Sequence, residues 1–251
     1  MTRRRLQAGR RVALTFLVAA LAVSHLPGRS LHAQCTTRVW DTSRPPEHPS
    51  WLLPFIPVGT QPAFAAQLNS SDWLITYQLQ HEPGDKGAFY TGFVVVRSGE
   101  VVRNVSLMSV GAWKRMGKKL GYTNMAALNV YAAQVCQDKQ LLAAVGFQVC
   151  CTASSGILYF IVTPEPDFYR ITPLPMVGGG KLEISSTFPV QLRLWGEEGD
   201  GTCDACLQHF NVSEYSVVAG KPTPGQHNTT SQQFKPGDFD ADRIVIFPAG
   251  D

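Results

Sequence analysis

The sequence is short of catalytic motifs. It contains no Gly-x-Ser-x-Gly elbow, no His-Glu-x-x-His pair and no glycine-rich phosphate loop. Those absences remove the local signatures of α/β hydrolases, zinc peptidases and P-loop enzymes. They leave only active sites whose members meet in space from distant positions. Histidine is scarce: beyond residue 33 there are His48, His81, His209 and His227, and none adjoins a nucleophile motif. Long apolar runs are missing too. The longest, Val12 to Val23, has twelve residues, whereas a bilayer span needs about 20.

A surplus of positive charge is also missing from most of the chain. The whole sequence carries 22 basic and 19 acidic residues, a net charge of +3. Six of the arginines and none of the acids lie in residues 1–33, and the remaining 218 residues carry a net charge of −3. Overall charge gives no reason to expect a nucleic-acid partner.

The same 33 residues read as a secretory signal peptide. Arg3, Arg4, Arg5, Arg10 and Arg11 form a cationic start, the apolar run follows, and Leu31-His32-Ala33 supplies a small residue before a cut at Gln34. The expected compartment is extracellular or periplasmic. All six cysteines, Cys35, Cys136, Cys150, Cys151, Cys203 and Cys206, lie beyond the cut. An even number in an oxidising compartment predicts disulfides.

Residues 34–70 form a proline-rich arm. Six prolines fall between Asp41 and Pro62, yet Trp51, Leu52, Leu53, Phe55 and Ile56 sit among them, so the arm is expected to dock rather than float. Residues 71–251 are expected to form one α+β domain. Trp73, Ile75, Tyr77 and Leu79 alternate as a strand, and 89–97 and 101–107 follow as a hairpin turning at Ser98-Gly99. The period then changes. Trp113, Met116, Gly117 and Leu120 share one helical face, with Lys114, Arg115, Lys118 and Lys119 on the other and Gly121 as C-terminal cap. Thr123 or Asn124 would cap a second helix bearing Met125, Leu128, Ala132 and Val135.

Strands resume near 141–149, 157–163, 168–172, 181–185, 188–195 and 207–218. Residues 141–149 and 157–162 are almost wholly apolar, so both faces of those strands should be covered. The helical pair is the expected cover. The predicted fold is therefore an antiparallel β-meander sheet with an inserted helical hairpin, with a β-sandwich or partial β-propeller as the alternative.

Candidate chemistry is sparse. Cys203-Asp204-Ala205-Cys206 has redox-pair spacing, but the residues that follow read as strand where a reactive thiolate needs a helix N-terminus. Cys150, Cys151, Cys203 and Cys206, with His209 as substitute, could ligate zinc, although vicinal cysteines are awkward tetrahedral ligands. Structural disulfides are preferred: one from Cys150 or Cys151 to Cys203 or Cys206, by counting strands of the meander, and Cys35 to Cys136. The segment 238–243 places Asp238, Asp240 and Asp242 at alternate positions and resembles a calcium loop. Arg243 takes the position of the turn glycine and Ala249 that of the closing acid, which favours a solvated turn before a last strand, Ile244–Phe247.

Asn69, Asn104, Asn211 and Asn228 each begin Asn-x-Ser/Thr, the glycan-acceptor pattern of a eukaryotic secretory pathway. The basic helical face is expected to be solvated. The leading expectation is a non-catalytic exported domain for binding or structure, with an extracellular or envelope protein or a glycan as partner and no cofactor or metal. The alternatives are an exported hydrolase with a dispersed site and a thiol or metal site at Cys203 and Cys206.

Overall fold

The computed structural model describes residues 35–47, 49–80, 89–120, 125–138, 140–149, 156–198 and 206–248. Along the chain come β1 (Arg38–Trp40), the single turn α1 (Pro49–Leu52), β2 (Thr60–Gln67), β3 (Asp72–Leu79), β4 (Tyr90–Arg97), β5 (Glu100–Ser106) and α2 (Gly111–Leu120). Then follow β6 (Asn129–Gln137), β7 (Gln140–Gln148), β8 (Gly156–Pro164), β9 (Tyr169–Pro173), β10 (Val177–Gly178) and β11 (Leu182–Ser185). The last elements are β12 (Gln191–Glu197), β13 (Phe210–Val218), β14 (Lys221–Thr229) and β15 (Ile244–Phe247).

The described strands form three sheets. The first runs β2-β3-β4-β5; the middle runs β1-β6-β7-β8-β10, with β9 also on β8; the last runs β14-β13-β12-β11-β15. Pairing is antiparallel throughout except β15, which lies parallel to β11. The chain is thus a β-rich α+β fold with few helices, in which β2–β5, β6–β9 and β11–β14 are successive meanders. The Ser98-Gly99 turn joins β4 to β5 with both residues at positive φ, 51° and 84°, the backbone that a two-residue hairpin of this twist demands.

The middle sheet lies between the other two. Phe64, Leu74, Phe93 and Val95 of the first sheet pack on Ala143, Val145, Phe147, Leu158, Phe160 and Val162. On the opposite face Ala133, Val135, Leu142, Ala144, Tyr159 and Ile161 pack on Leu182, Ile184, Leu192, Leu194 and Ile244 of the last sheet. Residues of β7 and β8 are buried at successive positions for this reason. Burial of each large apolar side chain there stabilises by roughly 1.5–3 kcal/mol before the entropy of ordering is counted.

Several expectations require correction. The central strands are covered by sheets, not by a helical pair. One helix of that pair forms, α2, with Trp113 fully buried and its Nε1 donating to the Met125 carbonyl at 2.8 Å. The second does not: residues 129–137 are β6. Val130 and Ala132 face the first sheet while Ala133 and Val135 face the last, so both faces are apolar and the strand carries no alternation. An apolar run of that kind fits the helical period as well as the extended one. The caps expected at Gly121, Thr123 and Asn124 lie outside the described residues. The single C-terminal meander is in fact divided: β9 ends on the middle sheet and β11 begins the last. The proline-rich arm contributes β1 and β2, and its Leu52 and Ile56 cover Ile75, Tyr77, Val94 and Val96 on the outer face of the first sheet. Burial pushes the Tyr77 phenol up to about 12.

Candidate binding cleft

Two edge strands meet far apart in sequence. β1 is the outermost strand of the middle sheet beside β6, and β15 is the outermost strand of the last sheet beside β11. A cavity of about 720 Å³ opens between them, lined by residues 37–43, by Tyr131 and Ala132, and by residues 241–246.

β1 is anchored on β6 by more than its ladder. The Thr37 hydroxyl donates to the Cys136 carbonyl at 3.1 Å and accepts from the Cys136 N–H at 2.9 Å. The Thr42 hydroxyl donates to the Val130 carbonyl at 2.6 Å. A disulfide joins Cys35 to Cys136, closing a sequence separation of 101 residues. In a loop of this length such a bond stabilises by roughly 4–5 kcal/mol in the chain-entropy treatment. Trp40 packs edge-on against Phe64 at 6.0 Å, and Val39, on the opposite face of the strand, is 52 % exposed.

The other wall is held by a buried arginine. The Arg243 side chain has no exposure, and its Nη1 donates to the carbonyls of Gly179 and Gly180. Its Nη2 is ion-paired with Asp240. The Arg243 carbonyl accepts from the Tyr159 hydroxyl at 2.8 Å. The two backbone carbonyls and the carboxylate supply acceptors for both Nη groups of the buried guanidinium, which offsets part of the cost of burying it. Burial raises the Tyr131 and Tyr159 phenols, with Arg243 opposing the rise at both. Tyr131 donates to the Gln148 side chain at 2.6 Å. The floor of the cleft is therefore a fixed polar network, and Val39, Ile244 and Ile246 give it apolar walls.

The residues singled out in the sequence are distributed as follows. Lys114, Arg115, Lys118 and Lys119 are all exposed on α2. Asp238 accepts from the Lys235 N–H at 2.9 Å and Asp240 pairs with Arg243, so these two acids pin the turn before β15. Among the described residues no cluster of three His, Cys, Asp or Glu side chains is arranged for a metal. Cys206 is exposed and disulfide-bonded; Cys150, Cys151 and Cys203 lie outside the described residues, as do His48 and His81. With β7 in the middle sheet and β12 in the last, the strand count behind a bridge between those cysteine pairs no longer applies.

His209 Nδ1 is 2.6 Å from the Thr230 carbonyl. His227 Nδ1 is 2.9 Å from the Ser213 hydroxyl across the β13–β14 pair, an exposed contact. Of the four glycan-acceptor patterns, Asn104 and Asn228 are exposed, whereas Asn69 donates to Asp72 at 2.8 Å and Asn211 accepts from Thr229 at 2.9 Å.

Sequence reasoning missed Arg243 and Tyr131. The available signal was an arginine directly before the apolar run Ile244–Phe247, where a solvated turn would end. Comparison with protein-family models, with curated proteins and with solved structures finds no match to this chain.

Proposed function

We propose that this chain is an exported, non-catalytic binding domain and that the β1–β15 cleft is its ligand site. The observation that carries the reading is the make-up of the cleft. Its walls combine an aromatic ring, aliphatic side chains and hydroxyls over a locked polar floor, which is the composition of a recognition site. Its lining includes no histidine, cysteine or lysine, so it offers no imidazole or amine base and no thiol nucleophile, and its Asp41 carboxylate is engaged by Ser43 and Arg44. Export is supported by the charge and apolar order of residues 1–33 and by the Cys35–Cys136 disulfide, a bond favoured in oxidising compartments. Among the described residues no helix is long and apolar enough to cross a membrane.

The test has two arms. Peptide and glycan arrays are probed with the wild type and with Val39→Trp, which fills the cleft from its exposed wall. Ligands retained by the wild type and lost by the variant support the reading; ligands indifferent to Val39→Trp overturn the site. The second arm measures hydrolysis of simple ester, peptide and glycoside substrates. Turnover abolished by Ser213→Ala would establish the alternative, a hydrolase built on the Ser213–His227 contact. Intact-mass analysis of exported protein completes the test, with a chain beginning at Gln34 as the expected product.

A further inference from the structure

A cavity facing a sheet is lined by alternate residues of each strand, because neighbouring side chains point to opposite faces. The β1–β15 cleft is lined by consecutive residues instead, 37–43 on one side and 241–246 on the other. Along β1 and β15 this pattern arises where a cavity faces the edge of a strand, so main-chain groups stand in its walls beside the side chains of Val39, Ile244 and Ile246.

The direction of each main-chain group follows from the bonds already made. On β6, Val130 and Cys136 turn their backbone groups toward β1, where Thr42 and Thr37 engage them. Alternation gives Ala132 and Gln134 the same direction, and these are the partners of Trp40 and Arg38. Arg38 and Trp40 thus spend their backbone groups on β6, and the N–H and C=O of Val39 point into the cleft.

On β15, the carbonyls of Arg243 and Phe247 accept from the N–H groups of Leu182 and Ser186 of the last sheet, at 2.9 and 2.8 Å. A parallel ladder uses every second residue, so Val245 also faces β11 while Ile244 and Ile246 direct their N–H and C=O into the cleft. Such a row of groups is a template for another strand.

We propose that the cleft takes an extended polypeptide segment, added as a strand along the free edge of β15. This rests on the cleft being the ligand site. Main-chain hydrogen bonds to Ile244 and Ile246 supply the attachment, and a segment of about four to six residues covers the four-residue strand. Paired residues share a face across a sheet. Added residues opposite Ile244 and Ile246 therefore turn inward beside Val39 and Tyr131, where apolar side chains fit. The intervening positions turn outward, and the exposed carboxylate of Asp242, just before β15, stands at the end of the segment, where a cation fits. The ligand class is an extended segment with alternating apolar residues and a basic neighbour.

The probe is a fluorescent hexapeptide, Lys-Val-Thr-Val-Thr-Lys, and two derivatives N-methylated at alternate residues in opposite phases. Affinity in strand addition comes chiefly from the main chain, so a generic alternating sequence suffices. One phase removes the donors that face β15 and the other removes those that face away. Binding is expected to fall about tenfold or more for one phase and to stay within about twofold for the other, as loss of one to two hydrogen bonds dictates. Ile246→Pro, which deletes an outward N–H and leaves the bonds to β11, should abolish binding while Val245 and Phe247 amides keep their protection from exchange. The methylated pair stands without that variant if it fails to fold. Binding that perturbs cleft amides but is equally affected by both phases overturns strand addition and leaves the cleft as a site. No perturbation of β1 or β15 amides by the probe overturns strand addition, and the array result with Val39→Trp then decides the cleft separately.

Discussion

The two faces of the middle sheet come from the same strands and are packed by different means. Toward the first sheet the interface is aromatic at its centre. Phe93 stacks on Phe147 at 6.0 Å, and Phe160 meets both edge-on, at 5.4 and 6.1 Å. Toward the last sheet the packing is aliphatic around Tyr159, with Arg243 buried at its margin. Gly146 of β7 leaves room for that ring, since a Cβ there would lie 2.6 Å from it. Shape specifies the first interface; hydrogen bonding specifies the second. The second opens where its margin is formed by two short edge strands rather than by side chains that interdigitate.

The comparison predicts different sensitivities. On the aromatic face volume should matter most. Phe160→Ala removes a ring that touches two others and should cost about 3–5 kcal/mol, whereas Phe160→Leu should cost clearly less. Urea titration of both variants measures this. Equal costs would mean that the aromatic contacts themselves, rather than filled space, hold the interface.

On the other face a change that keeps volume should still hurt. Arg243→Met is close to isosteric but strips donors from the carbonyls of Gly179 and Gly180. Each buried acceptor left without a partner costs about 1–3 kcal/mol, so a loss of about 2–4 kcal/mol is expected, partly offset by the removal of a buried charge. Asp240 is 59 % exposed and regains water at little cost. A variant as stable as the wild type would show that the arginine is retained for the cleft and not for the fold.

The two faces also differ in how well the sequence foretold them. β3, β4 and β5 follow from alternation and from Ser98-Gly99. β7 and β8 follow from uninterrupted apolar runs. β6 was obscured by burial on both faces, which erases the period that separates strand from helix. β14 left no trace, because it is an edge strand exposed along nearly its whole length, with Pro222 and Pro224 in it. Edge prolines suit a strand that must not recruit another, and they read locally as loop. The cleft was illegible for a separate reason. Its walls lie about two hundred residues apart, and its fixed charge, Arg243, sits among acids that in isolation describe a solvated turn. No local pattern encodes the meeting of β1 with β15; it follows from the stacking order of three sheets.

A polar cluster stands at the margin of the aromatic interface too, and pH separates it from the arginine. Asp72 is 3 % exposed and accepts from Tyr169 at 2.7 Å, Asn69 at 2.8 Å and Ser71 at 2.7 Å, with Arg97 Nε at 3.4 Å. Burial raises its pKa, but the hydrogen bonds from Tyr169, Asn69 and Ser71 and the charge of Arg97 outweigh burial and hold it below the ordinary carboxylate value. A depressed folded value means that the stabilisation is complete above the unfolded value of about 3.9 and is lost as pH falls through the folded one. Asp72→Asn should therefore cost about 1.5–3 kcal/mol at pH 7 and progressively less below about pH 4. Urea midpoints of wild type and variant at pH 7 and pH 3 should converge. A difference that persists undiminished at pH 3 would mean that shape, not charge, is what Asp72 contributes.

The smallest effect is expected where neither interface is involved. Lys114, Arg115, Lys118 and Lys119 are exposed on α2, and none of them forms an ion pair among the described residues. Trp113, which faces inward, carries the helix's attachment through its burial and its bond to Met125. Replacing all four cations with glutamate relieves their mutual repulsion but installs a new one of similar size. It also places negative charge at the last turn, where the helix dipole disfavours it by about 0.3–1 kcal/mol. The net change should be about 1 kcal/mol or less, read as a shift of a few degrees in the thermal midpoint. Peptide binding in the β1–β15 cleft should be unaltered, because no α2 residue lines it. Loss of the fold would mean that these side chains support Trp113 through their aliphatic stems rather than lying free in solvent. Loss of cleft binding with the fold intact would mean that the basic face steers the ligand, and would make a cationic neighbour in that ligand untenable.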